Sequence, residues 1–174
     1  MANLRIITWI GMPGQQIIAD VSRKIGTGIE CVEVSSNEEI LEKLNADPNY
    51  DVVFCSDYLI EYLIALRRLE PLKHPKIPNL KNLSSWAQNL DFDPGNHYSV
   101  PTAFGTTGYI YRRSISKKCR SWGTLFSPKD NLRVGMLSEI REVFGAALLY
   151  LGNSPNPETM SQIDEALNLL KRQV

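Results

Sequence analysis

The chain has 174 residues, 43% of them hydrophobic and 22% charged, which suits one globular domain or little more. Its 19 Lys and Arg balance 19 Asp and Glu, so no field of one sign is present to draw in nucleic acid or an anionic membrane. Cys31, Cys55 and Cys119 are odd in number and far apart, which argues against a disulfide framework or a CxxC metal pair. The apolar runs are too short for a transmembrane helix, and MANLRIITW carries neither a charged n-region nor an apolar h-region, so no signal peptide is read there.

Leu4–Thr8 is apolar and β-branched, and reads as a strand. Pro13 and Gly14 follow, then Ile17, Ile18, Val21 and Ile25 at helical spacing, closed by Gly26. Ile29–Val34 is the next strand, and Ser36 with Glu39 three residues later is a capping box for a helix that buries Ile40, Leu41 and Leu44. Asp47-Pro48-Asn49 turns the chain into Val52, Val53 and Phe54, a continuous apolar strand of the kind buried on both faces. The βαβαβ order predicts an α/β fold with a parallel sheet.

Beyond Leu66 five prolines, from Pro71 to Pro101, punctuate a long connector with one short helix predicted around Ser84–Asn89. Tyr98–Val100, Thr106–Tyr111 and Leu132–Leu137 read as strands. A well-patterned helix follows, with Ile140, Val143, Phe144, Ala147, Leu148 and Leu151 as its buried stripe and Gly152 as its stop. A last helix starts near Pro157 and buries Ile163, Ala166, Leu167 and Leu170.

In open α/β sheets solutes bind beyond the carboxyl ends of the strands. Trp9 and Ser56-Asp57-Tyr58 fall at such ends, and Ser138-Glu139-Ile140-Arg141-Glu142 joins a strand-like segment to a helix. Each of these positions also has a purely structural role open to it. Trp9 could be a packing residue, Ser56 a helix N-cap, Tyr58 the start of an amphipathic stripe, and Glu142 a partner of the helix dipole. No GxSxG, P-loop, HExxH or EF-hand spacing is present, and His74 and His97 both lie in the proline-rich connector. No nucleophile with its base is evident, so no enzyme activity, cofactor or metal is expected.

Two segments, SNEEILEKLNADPNYDVVFCSDYLIEYL from Ser36 and DFDPGNHYSVPTAFGTTGYIY ending at Tyr111, resemble the spermidine/putrescine-binding proteins, the extracytoplasmic receptors of polyamine ABC transporters. The resemblance implies a two-lobed periplasmic-binding-protein fold of type II, of which this chain is about the N-terminal half. Residues 1–108 would form most of the first lobe, and residues 109–174 the crossover and the opening of the second.

It also implies capture of a polyamine or similar small cation for delivery to a membrane permease, in the periplasm and without nucleic acid. Trp9 matches the family's Asn-Trp after the first strand. Ser56 and Tyr58 match its Pro-Ser-x-Tyr, and Glu139 and Glu142 match its Asp-x-Arg-Glu. Aromatic faces accept both ammonium and methylene groups, and carboxylates replace the water around each charge. The chain departs from the pattern at Ile10-Gly11-Met12, where polar and aromatic residues are usual, at Cys55 in place of Pro, and at Glu139 in place of Asp. A receptor for a different small solute, or an enzyme on the same architecture, are the alternatives.

Overall fold

The computed structural model describes residues 3–118, 120–126, 132–137 and 139–173. They divide between Phe104 and Gly105 into two compact units. The expected boundary lay four residues later, after position 108.

The first unit is built on a three-stranded parallel sheet in the order β2-β1-β3. β1 (Leu4–Trp9) is central, pairing Leu4 with Ile29 through Trp9 with Val34 on β2 (Ile29–Val34), and Ile6 and Ile7 with Val52 and Val53 on β3 (Val52–Val53). The α1 (Gln15–Ile25) and α2 (Asn37–Ala46) crossovers complete the expected βαβαβ order, and α3 (Asp57–Ala65) follows β3. Side chains alternate along a strand, and Ile7 joins Val34, Ile40, Leu44, Leu59 and Leu63 in one core cluster. α2 and α3 therefore close the same face of the sheet.

Local sequence explains the helix ends. Ser36 Oγ accepts the Glu39 backbone N–H at 3.1 Å, while the Glu39 carboxylate accepts the backbone N–H of Ser35, one residue before the cap. This is the expected capping box with its return bond moved out by one position. α1 ends on Gly26 at φ 68°, a left-handed conformation that glycine takes without a Cβ clash. The α1 stripe is not buried, however. Ile17, Val21 and Ile25 are each about half exposed, because amphipathic spacing forms a helix but burial requires a facing surface. Val52 is likewise exposed rather than covered on both faces, since β3 is the outer strand of the sheet.

Between Leu66 and Phe104 the proline-rich connector forms single 3₁₀ turns, including Ser85–Ala87 where a short helix is expected. Buried Asp93 organises it by accepting backbone N–H bonds from His97, Tyr98 and Ser99, the last at 2.7 Å, together with the Ser99 hydroxyl. Tyr98–Val100 is thus held by a side chain and not by a β-ladder.

In the second unit α4 (Gly123–Phe126), α5 (Ile140–Tyr150) and α6 (Met160–Lys171) bury Phe126, Ala146, Ala147, Leu148, Ala166 and Leu169 together. The core of α5 is the contiguous run from Gly145 to Leu148, while Ile140 and Leu151, expected in its stripe, are exposed. α6 begins at Met160, three residues after Pro157, because Thr159 and Gln162 form a complete capping box. Thr106–Tyr111 and Leu132–Leu137 do not form strands, and Ile110 is fully exposed. A β-strand is defined by its neighbour, and no described segment pairs with either. No helix among the described residues is long and apolar enough to cross a membrane.

Candidate functional site

The carboxyl ends of β1, β2 and β3 form one edge of the first unit, and the sequence-predicted residues Trp9, Ser56 and Tyr58 stand along it. Trp9 is the last residue of β1. Because Ile7 pairs with Val53, Trp9 stands two residues further along its strand, as Cys55 does beyond β3. The chain then turns sharply. Met12 N–H donates to Trp9 O at 2.9 Å, Gly11 N–H donates to the Glu33 carboxylate at 3.2 Å, and the buried Thr8 hydroxyl donates to Met12 O. Gly11 sits at φ 77°, which explains the glycine inside Ile10-Gly11-Met12. Met12 remains partly exposed beside this turn.

Trp9 and Tyr58 are half-buried and both pack against the core cluster around Ile7 and Leu63, so their rings lie on the same face of the sheet. Ser56 occupies the N-cap position of α3, yet its hydroxyl makes no capping bond. Its partner is instead Asn37, the first residue of α2 just beyond β2, which is only 4% exposed. Its Nδ2 donates to Ser56 Oγ at 3.0 Å and to Tyr58 Oη at 2.7 Å, and its Oδ1 accepts the Ser56 backbone N–H at 3.1 Å. Sequence reasoning missed Asn37, which reads as an ordinary polar residue in a first helical turn. The signal was positional: Asn37 follows β2 as Ser56 and Tyr58 follow β3.

Burial dominates the chemistry of Cys55, beside Ser56. It pushes the thiol up to about 12, since the thiolate would lose its hydration. Cys31 is raised too, by burial and then by the charge of Glu33, and both cysteines are free thiols. Cys119, which was expected to stay unpaired, lies outside the described residues.

Glu139 and Glu142 belong to the second unit. Glu139 is the half-buried N-cap residue of α5, although its side chain makes no capping bond, and Ser138 before it lies outside the described residues. Glu142 is half-buried in the first turn, where a carboxylate suits the helix dipole, and it accepts a hydrogen bond from the Thr107 hydroxyl. Arg141 donates to Asn156 Oδ1 at 2.5 Å.

Among the described residues no cluster of three or more His, Cys, Asp and Glu side chains could hold a metal ion. A shallow cavity of about 490 Å³ is lined by Leu72, Lys73, His74, Pro75, Lys76 and His97, none of them a sequence-predicted site residue. It lies in the connector rather than at the strand ends.

Comparison with known proteins places the chain among relatives. No protein-family model matches the chain. Over 97% of its length, however, it is 35% identical to a putrescine/cadaverine-binding protein of Pseudomonas aeruginosa, and over 98% it is 32% identical to the spermidine/putrescine-binding periplasmic protein of Escherichia coli. The chain is a homologue of the spermidine/putrescine-binding proteins. It covers 50% of each of those two relatives, so it spans about half their length.

Solved structures agree. A chain assigned to spermidine/putrescine ABC transport in Listeria monocytogenes matches at a TM-score of 0.92 and 28% identity, covering 99% of this chain and 55% of that one. A substrate-binding protein of a spermidine/putrescine ABC transporter from Streptococcus pneumoniae matches at 0.74 and 26%, covering 99% and 54%. The α/β architecture read from the sequence is therefore that of a solute-binding protein, and these homologues are named as binding or transport proteins rather than enzymes.

Proposed function

We propose that this chain is the part of a polyamine receptor that carries its first aromatic and hydroxyl contacts, and that the receptor serves an ABC importer outside the cytoplasm by handing its cargo to a membrane permease. The observation that carries this reading is continuous similarity, over nearly the whole chain, to proteins named for binding putrescine, cadaverine and spermidine.

The geometry is compatible with that chemistry. In the first unit Trp9 and Tyr58 offer π faces on one side of the sheet, where an ammonium and its flanking methylenes both find favourable contact. Ser56 adds a hydroxyl. In the second unit Glu139 and Glu142 are carboxylates that water only partly covers, so replacing that water by an ammonium costs less than at a fully solvated group. No covalent step is involved; binding and release are the whole reaction.

Calorimetry with putrescine tests the reading. In the full-length receptor, Glu142→Gln should weaken binding about 5- to 150-fold, the scale of a lost charge-assisted hydrogen bond of roughly 1–3 kcal/mol. Unchanged affinity in both Glu139→Gln and Glu142→Gln would assign these carboxylates to the helix terminus alone. Tighter binding of an uncharged solute of similar length would replace the polyamine reading.

A further inference from the structure

We propose that Arg112, Arg113 and Arg120, together with Ile110 and Tyr111, form a docking surface for anionic phospholipid headgroups. The inference goes beyond the solute-binding reading and does not depend on it, because it rests on how charge is shared out along the chain.

The whole chain is neutral, but its two units are not. Met1–Phe104 carries 9 Lys and Arg against 13 Asp and Glu, whereas Gly105–Val174 carries 10 against 6. The imbalance is concentrated further. Between Pro94 and Lys129 there is no Asp or Glu at all, and five of the six basic residues in that stretch fall between Arg112 and Arg120. Cations spaced this closely, with no carboxylate among them, repel one another, so an anionic surface relieves the repulsion.

The second unit gathers the three arginines. Tyr109 Oη donates to the Ser121 carbonyl at 3.1 Å, and its ring lies 5.6 Å from that of Trp122. These contacts bring together the two arms that carry Arg112-Arg113 and Arg120. All three arginines are exposed. Among the described residues none of them enters an ion pair or a side-chain hydrogen bond.

The chemistry selects the partner. The solute proposed above is a cation and gains nothing from three guanidinium groups, which instead match the oxygens of a phosphate in bidentate fashion. Ile110 is fully exposed and Tyr111 is 48% exposed, so apolar surface accompanies the charge. A stable protein partner would bury on the order of 1,600 Å² around an apolar core, which two such side chains do not supply. A lipid surface asks for less. Each Lys or Arg close to an anionic bilayer strengthens attachment about fivefold, so three give a factor of about 100. Tyrosine and isoleucine suit the boundary between headgroups and acyl chains.

Co-sedimentation of the chain with vesicles tests the proposal. One preparation is pure phosphatidylcholine, and in the other about three lipids in ten are phosphatidylglycerol. At about 0.1 M salt the chain should partition onto the anionic vesicles at least about tenfold more strongly than onto the neutral ones, and about 1 M salt should remove the difference, because the screening length falls from about 10 to about 3 Å. Arg112→Gln with Arg113→Gln should weaken attachment to the anionic vesicles about 25-fold. Arg23→Gln with Lys24→Gln removes the same charge from the first unit and should change attachment by less than about twofold, since exposed charges act over roughly a screening length. Equal losses in the two double variants would mean that net charge alone acts, and would overturn the role given to these arginines. If the wild-type chain binds neither preparation, or both equally, the proposal fails and the basic surface is left to an acidic protein partner.

Discussion

Cys55 offers a sharp test of how tightly the carboxyl edge of the sheet is closed. It lies between β3 and Ser56, packs against the Ile7 cluster, and burial raises its thiol from 9.0 to about 12. At pH 8 an ordinary thiol is about one-tenth ionised, whereas one at 12 is ionised in about one molecule in ten thousand, a loss of roughly 1,000-fold in thiolate. Part of that loss is offset, because a thiolate of higher pKa is the better nucleophile. With a Brønsted slope near 0.4–0.5, three units return roughly 20- to 30-fold. The net expectation is that Cys55 reacts with a small disulfide reagent about 30- to 60-fold more slowly in the folded chain than in urea, before any steric shielding. Site-resolved mass spectrometry of the quenched reaction gives the rate for this cysteine separately from the others. A Cys55 rate within threefold of the denatured chain would show that water reaches the thiol, and the closed packing beneath Ser56 and Tyr58 would be wrong.

Two further outcomes follow from the first unit. Ile7 is completely buried on the central strand, and Ile7→Ala removes three carbons at about 0.8 kcal/mol each and leaves a cavity, so native-state hydrogen exchange at β1 amides should report a loss of about 3–4 kcal/mol; a loss under about 1 kcal/mol would mean that the cluster around Ile7 is not closed. The Asp47 carboxyl is held below its ordinary 3.8, first by the Asn49 backbone N–H and then by the Arg5 guanidinium, with bonds of 3.0 and 2.6 Å. A depressed carboxylate stabilises the fold above its unfolded value, and that contribution is lost as pH falls through the folded value. Acid titrations followed by circular dichroism should therefore show a flatter acid limb below pH 3.8 for Asp47→Asn than for wild type, and identical limbs would remove Asp47 from the linkage.

The parallel sheet, its crossovers and several helix ends were legible in the sequence because they depend on near neighbours. Ser36 with Glu39 and Gly26 at a helix end act over three or four residues, and three apolar strands separated by helical spacing leave few topologies open. Trp9, Ser56 and Tyr58 could be placed on the carboxyl edge for the same reason, since each follows its strand directly. What the sequence could not decide is everything that needs a partner distant along the chain. The exposed stripe of α1 shows the spacing of a buried helix, and Thr106–Tyr111 has the composition of a strand, but burial and β-pairing are properties of two surfaces. Asn37 is the clearest case. Its amide is nineteen residues from Ser56 and twenty-one from Tyr58, and only the alignment of β2 and β3 on either side of β1 lets one side chain satisfy three polar groups at once. A hydrogen bond is selective over tenths of an ångström, and that precision is reached only when the packed sheet has fixed both strand ends in space.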